Sequence, residues 1–239
     1  MSTAENRTNV DSGEIAKFEA LASRWWDPES EFKPLHDINP LRANWIDLKA
    51  AIAGKKVADI GCGGGLLSEA LTQRGAQVTG IDMGEAPLSV ARLHQLESGL
   101  EIDYRQMTAE ELAEQAPESF DVVTCLEMLE HVPDPAAIIQ ACARLVKPGG
   151  QVFFSTLNRN PKSYLFAILG AEYLLRLLPR GTHEYSKFIK PSEMGQWIRA
   201  AGMEVAELMG MTYNPVTKRY KLTPHDVQVN YLMRATKPE

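Results

Sequence analysis

The chain has 239 residues, of which 44% are hydrophobic and 23% are charged, and its formal net charge is −6. This composition suits one large domain with a buried core and argues against a disordered chain. The acidic balance argues against long nucleic acid as the main partner, because neutralising many phosphates requires clustered lysine and arginine.

The N-terminal residues resemble neither a signal peptide nor a transit peptide, so we expect the protein to stay in the cytoplasm. The three cysteines, Cys62, Cys125 and Cys142, lie in apolar segments and are predicted to be reduced packing residues rather than a disulfide framework. The most apolar run, at 164–179, is interrupted by charged residues and is shorter than the ~20 residues that a transmembrane helix needs.

Apolar segments alternate with helical patterns along most of the chain. Each segment is a continuous apolar run rather than an alternating one, which is typical of a parallel sheet covered on both faces. We therefore predict a doubly wound α/β fold with a mostly parallel seven-stranded sheet, a helical insertion after strand 5 and a last strand suited to an antiparallel edge. The predicted strands lie at 55–65 (running into glycines), 76–82, 100–106, 120–129, 150–156, 203–213 and 226–237.

A glycine-rich turn follows the first predicted strand. It has the pattern acid-x-Gly-x-Gly-x-Gly, starts at Asp59 and includes Gly61 and Gly63. The dinucleotide pattern G-x-G-x-x-G is not met, because Leu66 stands where the last glycine should be. Asp82 ends the next predicted strand, where an acid can bind ribose hydroxyls. The turn resembles motif I of class I S-adenosylmethionine-dependent methyltransferases.

The residues after the third predicted strand are candidates for an adenine contact. Methyltransferases of this class commonly use that position, which holds Thr108, Ala109 and Glu110. For Glu110 the alternative is an exposed first turn of a helix, where acidic residues are favoured.

Two carboxylates and an imidazole, Glu127, Glu130 and His131, stand where the fourth predicted strand ends. This set could bind Mg²⁺ or Mn²⁺. Two alternatives remain open: the three side chains could form a hydrogen-bonded loop, or His131 could act alone as a general base.

Segments along nearly the whole chain together resemble the ubiquinone-biosynthesis O-methyltransferases of bacteria and mitochondria. They are EIAKFEALASRWWDPESEFKPLHDINPLRANWI, DIGCGGG, GIDMGEAPLSVARLH, DVVTCLEMLEHVPDP, LVKPGG and FFSTLNRN. The resemblance implies an N-terminal helical segment at 1–53 that covers the cofactor site, followed by a methyltransferase domain at 54–239.

The resemblance also implies an activity: methyl transfer from S-adenosylmethionine to a catechol-type hydroxyl of polyprenylated ubiquinone precursors. The expected steps are those on 2-polyprenyl-6-hydroxyphenol and 3-demethylubiquinol. Arg42, Gly61, Asp82 and Leu126 match cofactor-contacting positions of the family, and an arginine suits a bidentate grip on the cofactor carboxylate.

The mitochondrial members are described as magnesium-dependent at residues that match Glu127, Glu130 and His131. A divalent ion that holds the catechol oxygens would lower the phenol pKa from about 10 and so generate the nucleophile. Under this hypothesis Glu127 and His131 act at the reacting centre.

The apolar and basic insertion at 160–190 suggests contact with a membrane. Its part at 163–183 resembles an interfacial helix attracted to anionic lipid, which predicts a cytoplasmic protein attached peripherally to the inner face of the membrane. The alternative is a lid or core helix. Other quinone-biosynthesis enzymes are candidate partners, because the intermediates are insoluble.

Two other functions compete with this prediction. One is a methyltransferase that acts on another small molecule or on an RNA 3′ end, and the second is a non-catalytic module that binds S-adenosylmethionine or lipid. The acidic balance weighs against RNA.

Overall fold

The computed structural model describes residues 9–163 and 185–239. Within these ranges the chain forms an eight-stranded sheet with the order β3-β2-β1-β4-β5-β8-β6-β7. Strands β1 to β5 pair in parallel, and β8 runs antiparallel to both β5 and β6. The strands are β1 (Lys56–Ile60), β2 (Gln77–Asp82), β3 (Asp103–Gln106), β4 (Phe120–Leu126), β5 (Val146–Leu157), β6 (Glu204–Asn214), β7 (Arg219–Thr223) and β8 (Asn230–Thr236).

Helices cover both faces of this sheet, which confirms the predicted doubly wound α/β class. One hydrophobic cluster joins a face of the sheet to α2, α3 and α4, and a second cluster joins the opposite face to α5, α6 and α8. The helices are α1 (Ser12–Leu21), α2 (Lys33–Ala50), α3 (Leu66–Thr72), α4 (Glu85–Ser98), α5 (Ala109–Gln115), α6 (Pro135–Leu145), α7 (Pro161–Ser163) and α8 (Pro191–Ala200).

The prediction of seven strands is wrong by one. Asn214 accepts hydrogen bonds from the N–H groups of Val216 and Thr217, at 2.9 and 3.1 Å, and this turn reverses the chain after β6. The residues that follow form β7, whose sequence RYKLT is too polar to be recognised as a buried strand.

The final strand is antiparallel as predicted, but the prediction that it lies at an edge is wrong. β8 lies between β5 and β6, and the edge on that side is β7. Tyr231 and Leu232 are fully buried on opposite faces, because each face of β8 packs against one of the two hydrophobic clusters.

The cysteines agree with the prediction made for them, whereas the apolar run at 164–179 is not among the described residues. Cys62, Cys125 and Cys142 are buried and are not in disulfide bonds. No helix in the described ranges is long and apolar enough to span a membrane. Most of the predicted insertion, at 164–184, lies outside the described residues.

Candidate active site

The glycine turn that follows β1 makes close contacts that require its glycines. Gly61 and Gly63 have φ angles of +72° and +54°, which glycine adopts without strain. A Cβ atom at Gly61 would lie 2.6 Å from Cγ of Met128, and one at Gly63 would lie 2.2 Å from the Trp25 ring. Trp26 donates a hydrogen bond from Nε1 to the Gly64 carbonyl at 2.9 Å. The turn is therefore held against the segment that precedes α2.

Asp82 is the last residue of β2 and connects the second strand to the glycine turn. Its carboxylate accepts hydrogen bonds from the N–H groups of Gly63, at 2.9 Å, and Gly84, at 2.8 Å. Burial raises the pKa of Asp82, and these backbone hydrogen bonds oppose the rise. Each carboxylate oxygen keeps lone-pair capacity for a hydroxyl, so Asp82 suits the predicted contact with a ribose.

Asp59 lies deeper than the sequence suggests. Its side chain is buried and accepts hydrogen bonds from Oγ of Ser68, at 2.6 Å, and Oγ1 of Thr124, at 2.7 Å. Burial raises the pKa of Asp59, and the two hydroxyl groups oppose this effect. These contacts tie the end of β1 to α3 and β4, so Asp59 holds the glycine turn in place while it also lines the cavity.

A cavity of about 190 Å³ opens at the carboxyl ends of β1, β2 and β4, where ligands bind in sheets of this type. Thr108, Ala109 and Glu110 line it at the start of α5, as does Leu126 at the end of β4. Thr108 caps α5 by accepting a hydrogen bond from the N–H of Glu111, and Glu110 accepts one from Nδ2 of Asn9 at 3.3 Å. The predicted adenine residues thus border the cavity.

Arg42, which is buried, and Glu127, which is partly exposed, form an ion pair in the wall of the cavity. Glu127 has a φ of +51°, and its Oε1 also accepts hydrogen bonds from Ser155, at 2.7 Å, and Asn230, at 3.0 Å. The guanidinium of Arg42 is buried, and its Nε has no hydrogen-bond partner among the described residues. An unpaired buried donor beside the cavity fits the predicted grip on a ligand carboxylate.

Glu130 faces away from the cavity and into the protein. Oγ1 of Thr156 donates a hydrogen bond to its Oε2 at 2.7 Å, whereas Oε1 has no partner in the described part of the chain. Burial, together with the charge of Glu127, raises the pKa of Glu130 to about 7.

His131 borders the cavity and is paired with a carboxylate from α1. Its Nδ1 lies 2.9 Å from Oε2 of Glu14, and its ring makes an edge contact with Phe18 at a centroid distance of 5.1 Å. Burial alone would lower the pKa of His131, but Glu14 and Glu130 outweigh it and raise the pKa above the ordinary value. Conversely, the hydrogen bond from His131 lowers the pKa of Glu14.

The three predicted metal ligands are held by three separate partners. Glu127 pairs with Arg42, and His131 pairs with Glu14. Glu130 accepts a hydrogen bond from Thr156. Among residues 9–163 and 185–239, no group of three or more His, Cys, Asp and Glu side chains is placed to hold a metal ion. The arrangement of these three side chains therefore does not fit the predicted magnesium site. The pairing of His131 with Glu14 suits a side chain that accepts and holds a proton.

Several residues of the cavity and its surroundings were not predicted. Glu14, Phe18 and Trp25 line the cavity from the N-terminal segment, Asn230 comes from the last strand, and Lys187 binds Glu14 at 3.3 Å. The only signal in the sequence was the resemblance of the N-terminal segment to the family, which does not identify individual contacts.

The fold and the cavity together define a class I S-adenosylmethionine-dependent methyltransferase. The general family model of a methyltransferase domain matches residues 58–154. The magnesium protoporphyrin IX methyltransferase from Synechocystis, solved with bound SAH, has a TM-score of 0.67 and 21% sequence identity, over 93% of this chain and 94% of that one. At this identity the likeness concerns the fold.

Curated relatives narrow the class to a family. A ubiquinone biosynthesis O-methyltransferase from Stutzerimonas stutzeri is 74% identical over 230 residues, which cover 96% of this chain and 99% of the relative. One from Pseudomonas aeruginosa is 74% identical over 227 residues, with 95% and 97% covered. The chain belongs to the ubiquinone biosynthesis O-methyltransferase family.

Proposed function

We propose that the chain transfers the methyl group of S-adenosylmethionine to a catechol-type hydroxyl of a polyprenylated ubiquinone precursor. The observation that carries this proposal is the pair formed by His131 and Glu14 at the edge of the cavity. Methylation of a phenol requires removal of its proton, and the pair supplies a base for that purpose.

Glu14 orients the base and stabilises its protonated form. Because Nδ1 of His131 is bound to the carboxylate, Nε2 is the nitrogen that takes the phenol proton. S-adenosylmethionine supplies an electrophilic methyl group, which the phenolate oxygen attacks as the bond from carbon to sulfur breaks. The positive charge gained by His131 lies beside Glu14, so the negative carboxylate favours the transfer.

Other residues are proposed to hold the cosubstrate. Asp82 accepts hydrogen bonds from the ribose hydroxyls, and Arg42 binds the carboxylate of the cosubstrate. Gly61 and Gly63 let the cosubstrate lie close to the backbone. Leu126 and the residues at the start of α5 provide apolar and polar walls.

The test is methyl transfer to a short-chain prenylated catechol, measured with and without EDTA and added Mg²⁺. We expect His131→Asn to lower kcat by about 10²-fold or more, the usual effect of losing a general base, with cosubstrate affinity retained. His225→Asn, on the exposed loop before β8, is the matched control. Unchanged kcat in His131→Asn would refute the role of this base.

The magnesium hypothesis predicts a different result in the same assay. If Glu127, Glu130 and His131 rearrange to bind an ion that activates the acceptor, EDTA abolishes turnover and Mg²⁺ restores it. Under the base mechanism EDTA has no effect. Turnover on other acceptors but not on the catechol would support the competing methyltransferase functions, and cosubstrate binding without any turnover would support a non-catalytic module.

We also propose that residues 163–183 attach the protein reversibly to the anionic inner face of the membrane. The support is their sequence, in which aliphatic and aromatic residues are flanked by basic ones. Replacing Leu174 and Leu175 with glutamate should abolish pelleting with vesicles that contain phosphatidylglycerol. Leu48→Glu is the control, because Leu48 is 79% exposed on α2. Equal pelleting of all three proteins would exclude membrane attachment through this segment.

A further inference from the structure

Two aromatic side chains of the N-terminal segment line the same cavity as the predicted cosubstrate residues. Phe18 lies on α1, and Trp25 lies shortly after it, with 6.2 Å between their ring centroids. Trp25 is stacked on Phe32 at 4.2 Å and rests against Gly63, which fixes its position. The two rings therefore form part of a preformed wall.

The position of Phe18 relates it to the reacting centre. Its ring is in edge contact with His131, which takes the acceptor proton in the proposed function. The methyl group must point at the acceptor oxygen beside His131, and the sulfur is one covalent bond behind that methyl group. Phe18 is thus close to the end of the cavity where the sulfur must lie.

We propose that Phe18, supported by Trp25, determines selectivity for the sulfonium cation of S-adenosylmethionine over the neutral thioether of S-adenosylhomocysteine. This inference rests on the proposed function, which sets the end of the cavity where methyl transfer occurs. The face of an aromatic ring attracts a cation within about 6 Å of its centroid more strongly than it attracts the neutral sulfur of a thioether. The product, which lacks the charge, is released more easily.

Three carboxylates that line the cavity, those of Glu14, Glu127 and Asp82, are less suited to this discrimination. Glu14 is paired with His131, Glu127 with Arg42, and the oxygens of Asp82 accept backbone N–H groups. Pairing weakens the electrostatic attraction of each carboxylate for the positive sulfur. The aromatic rings are uncharged, so no paired cation weakens their attraction.

The experiment is isothermal titration of the full chain with S-adenosylmethionine and, separately, with S-adenosylhomocysteine. Phe18→Leu keeps an apolar side chain and removes the ring. We expect its Kd for S-adenosylmethionine to rise about three- to tenfold, from the usual strength of a cation–π contact, and its Kd for S-adenosylhomocysteine to change less than twofold. Phe18→Tyr should restore the wild-type ratio of the two constants.

Ile15→Val is the matched control, because Ile15 lines the same cavity three residues earlier on α1. It should weaken both ligands by the same factor. Equal weakening of both ligands by Phe18→Leu, or no weakening of either, would overturn the proposal. The titrations contain no acceptor, so a failure of the catechol assay together with a shifted ratio would refute only the proposed function.

Discussion

Substitution of Gly63 by alanine should destabilise the protein through two effects that the chain allows us to separate. Gly63 has a φ of +54°, and a Cβ atom there would lie 2.2 Å from Cζ2 of Trp25. Gly99 has a φ of +67°, but no described atom lies within 4 Å of its Cβ position. Gly99→Ala therefore measures backbone strain alone, which is about 1 kcal/mol.

Gly63→Ala adds the displacement of a buried ring to the same backbone strain. Trp25 is 7% exposed and stacked on Phe32, so its ring cannot move aside without disturbing its neighbours. Overpacking of this kind costs about 1–3 kcal/mol, so the total loss should be about 2–4 kcal/mol against about 1 kcal/mol for Gly99→Ala.

Urea denaturation of both variants gives the free energies of unfolding. The contact with Trp25 is tested by adding Trp25→Leu to each glycine variant. In the Trp25→Leu background, Gly63→Ala should cost less free energy of unfolding than it does in the wild type, whereas the cost of Gly99→Ala should be unchanged. Only Gly63 is in contact with Trp25. Equal losses in the two single variants would refute the packing argument.

Three further outcomes are expected from individual contacts. Asp134 accepts hydrogen bonds from the first N–H groups of α6, so Asp134→Ala should lose about 1 kcal/mol in thermal unfolding while Asp134→Asn loses little. Ser68→Ala removes a hydrogen bond to the buried carboxylate of Asp59 and should lower the free energy of unfolding, measured by urea denaturation, by about 1–3 kcal/mol. Ser98→Ala, at the exposed end of α4, should leave it nearly unchanged. The folded-state pKa of Glu14 is below its ordinary value of 4.5, so its stabilisation is present above about pH 4.5 and is lost as the pH falls. The stability advantage of the wild type over Glu14→Gln, measured by urea denaturation, should therefore shrink as the pH is lowered from about 6 to 3; a constant advantage would contradict the ion pair.

The alternation of apolar runs and helical patterns was sufficient to predict the parallel half of the sheet. Asp134 caps α6 and Pro135 is its first residue, and a capping acid followed by proline is a local signal of a helix start. β7 was missed, since RYKLT gains its partner only through the turn at Asn214. The position of β8 between two strands also depends on pairing across the sheet, which no local pattern encodes.

The candidate site shows the same division between local and distant information. Asp82 and the glycine turn are close in sequence and were predicted from spacing. Glu14 and His131 are separated by 117 residues and meet only because α1 folds over the cavity. The sequence placed Glu130 with His131, but a change of direction at the end of β4 turns Glu130 into the core, where it accepts a hydrogen bond from Thr156.

The boundaries of the general methyltransferase domain indicate which segments determine selectivity for the acceptor and for the charge of the cosubstrate. That domain, at 58–154, contains the glycine turn, Asp82 and His131, for which we propose cosubstrate binding and proton removal. Glu14, Phe18 and Arg42 line the same cavity but lie outside the domain at 58–154. A common domain supplies a sheet edge that many acceptors could use, so the features that suit one acceptor and one charge state must come from added segments. Apolar substitutions in α1, such as Phe18→Leu, should therefore change selectivity while the sheet keeps its stability, because α1 contributes no residue to either main hydrophobic cluster.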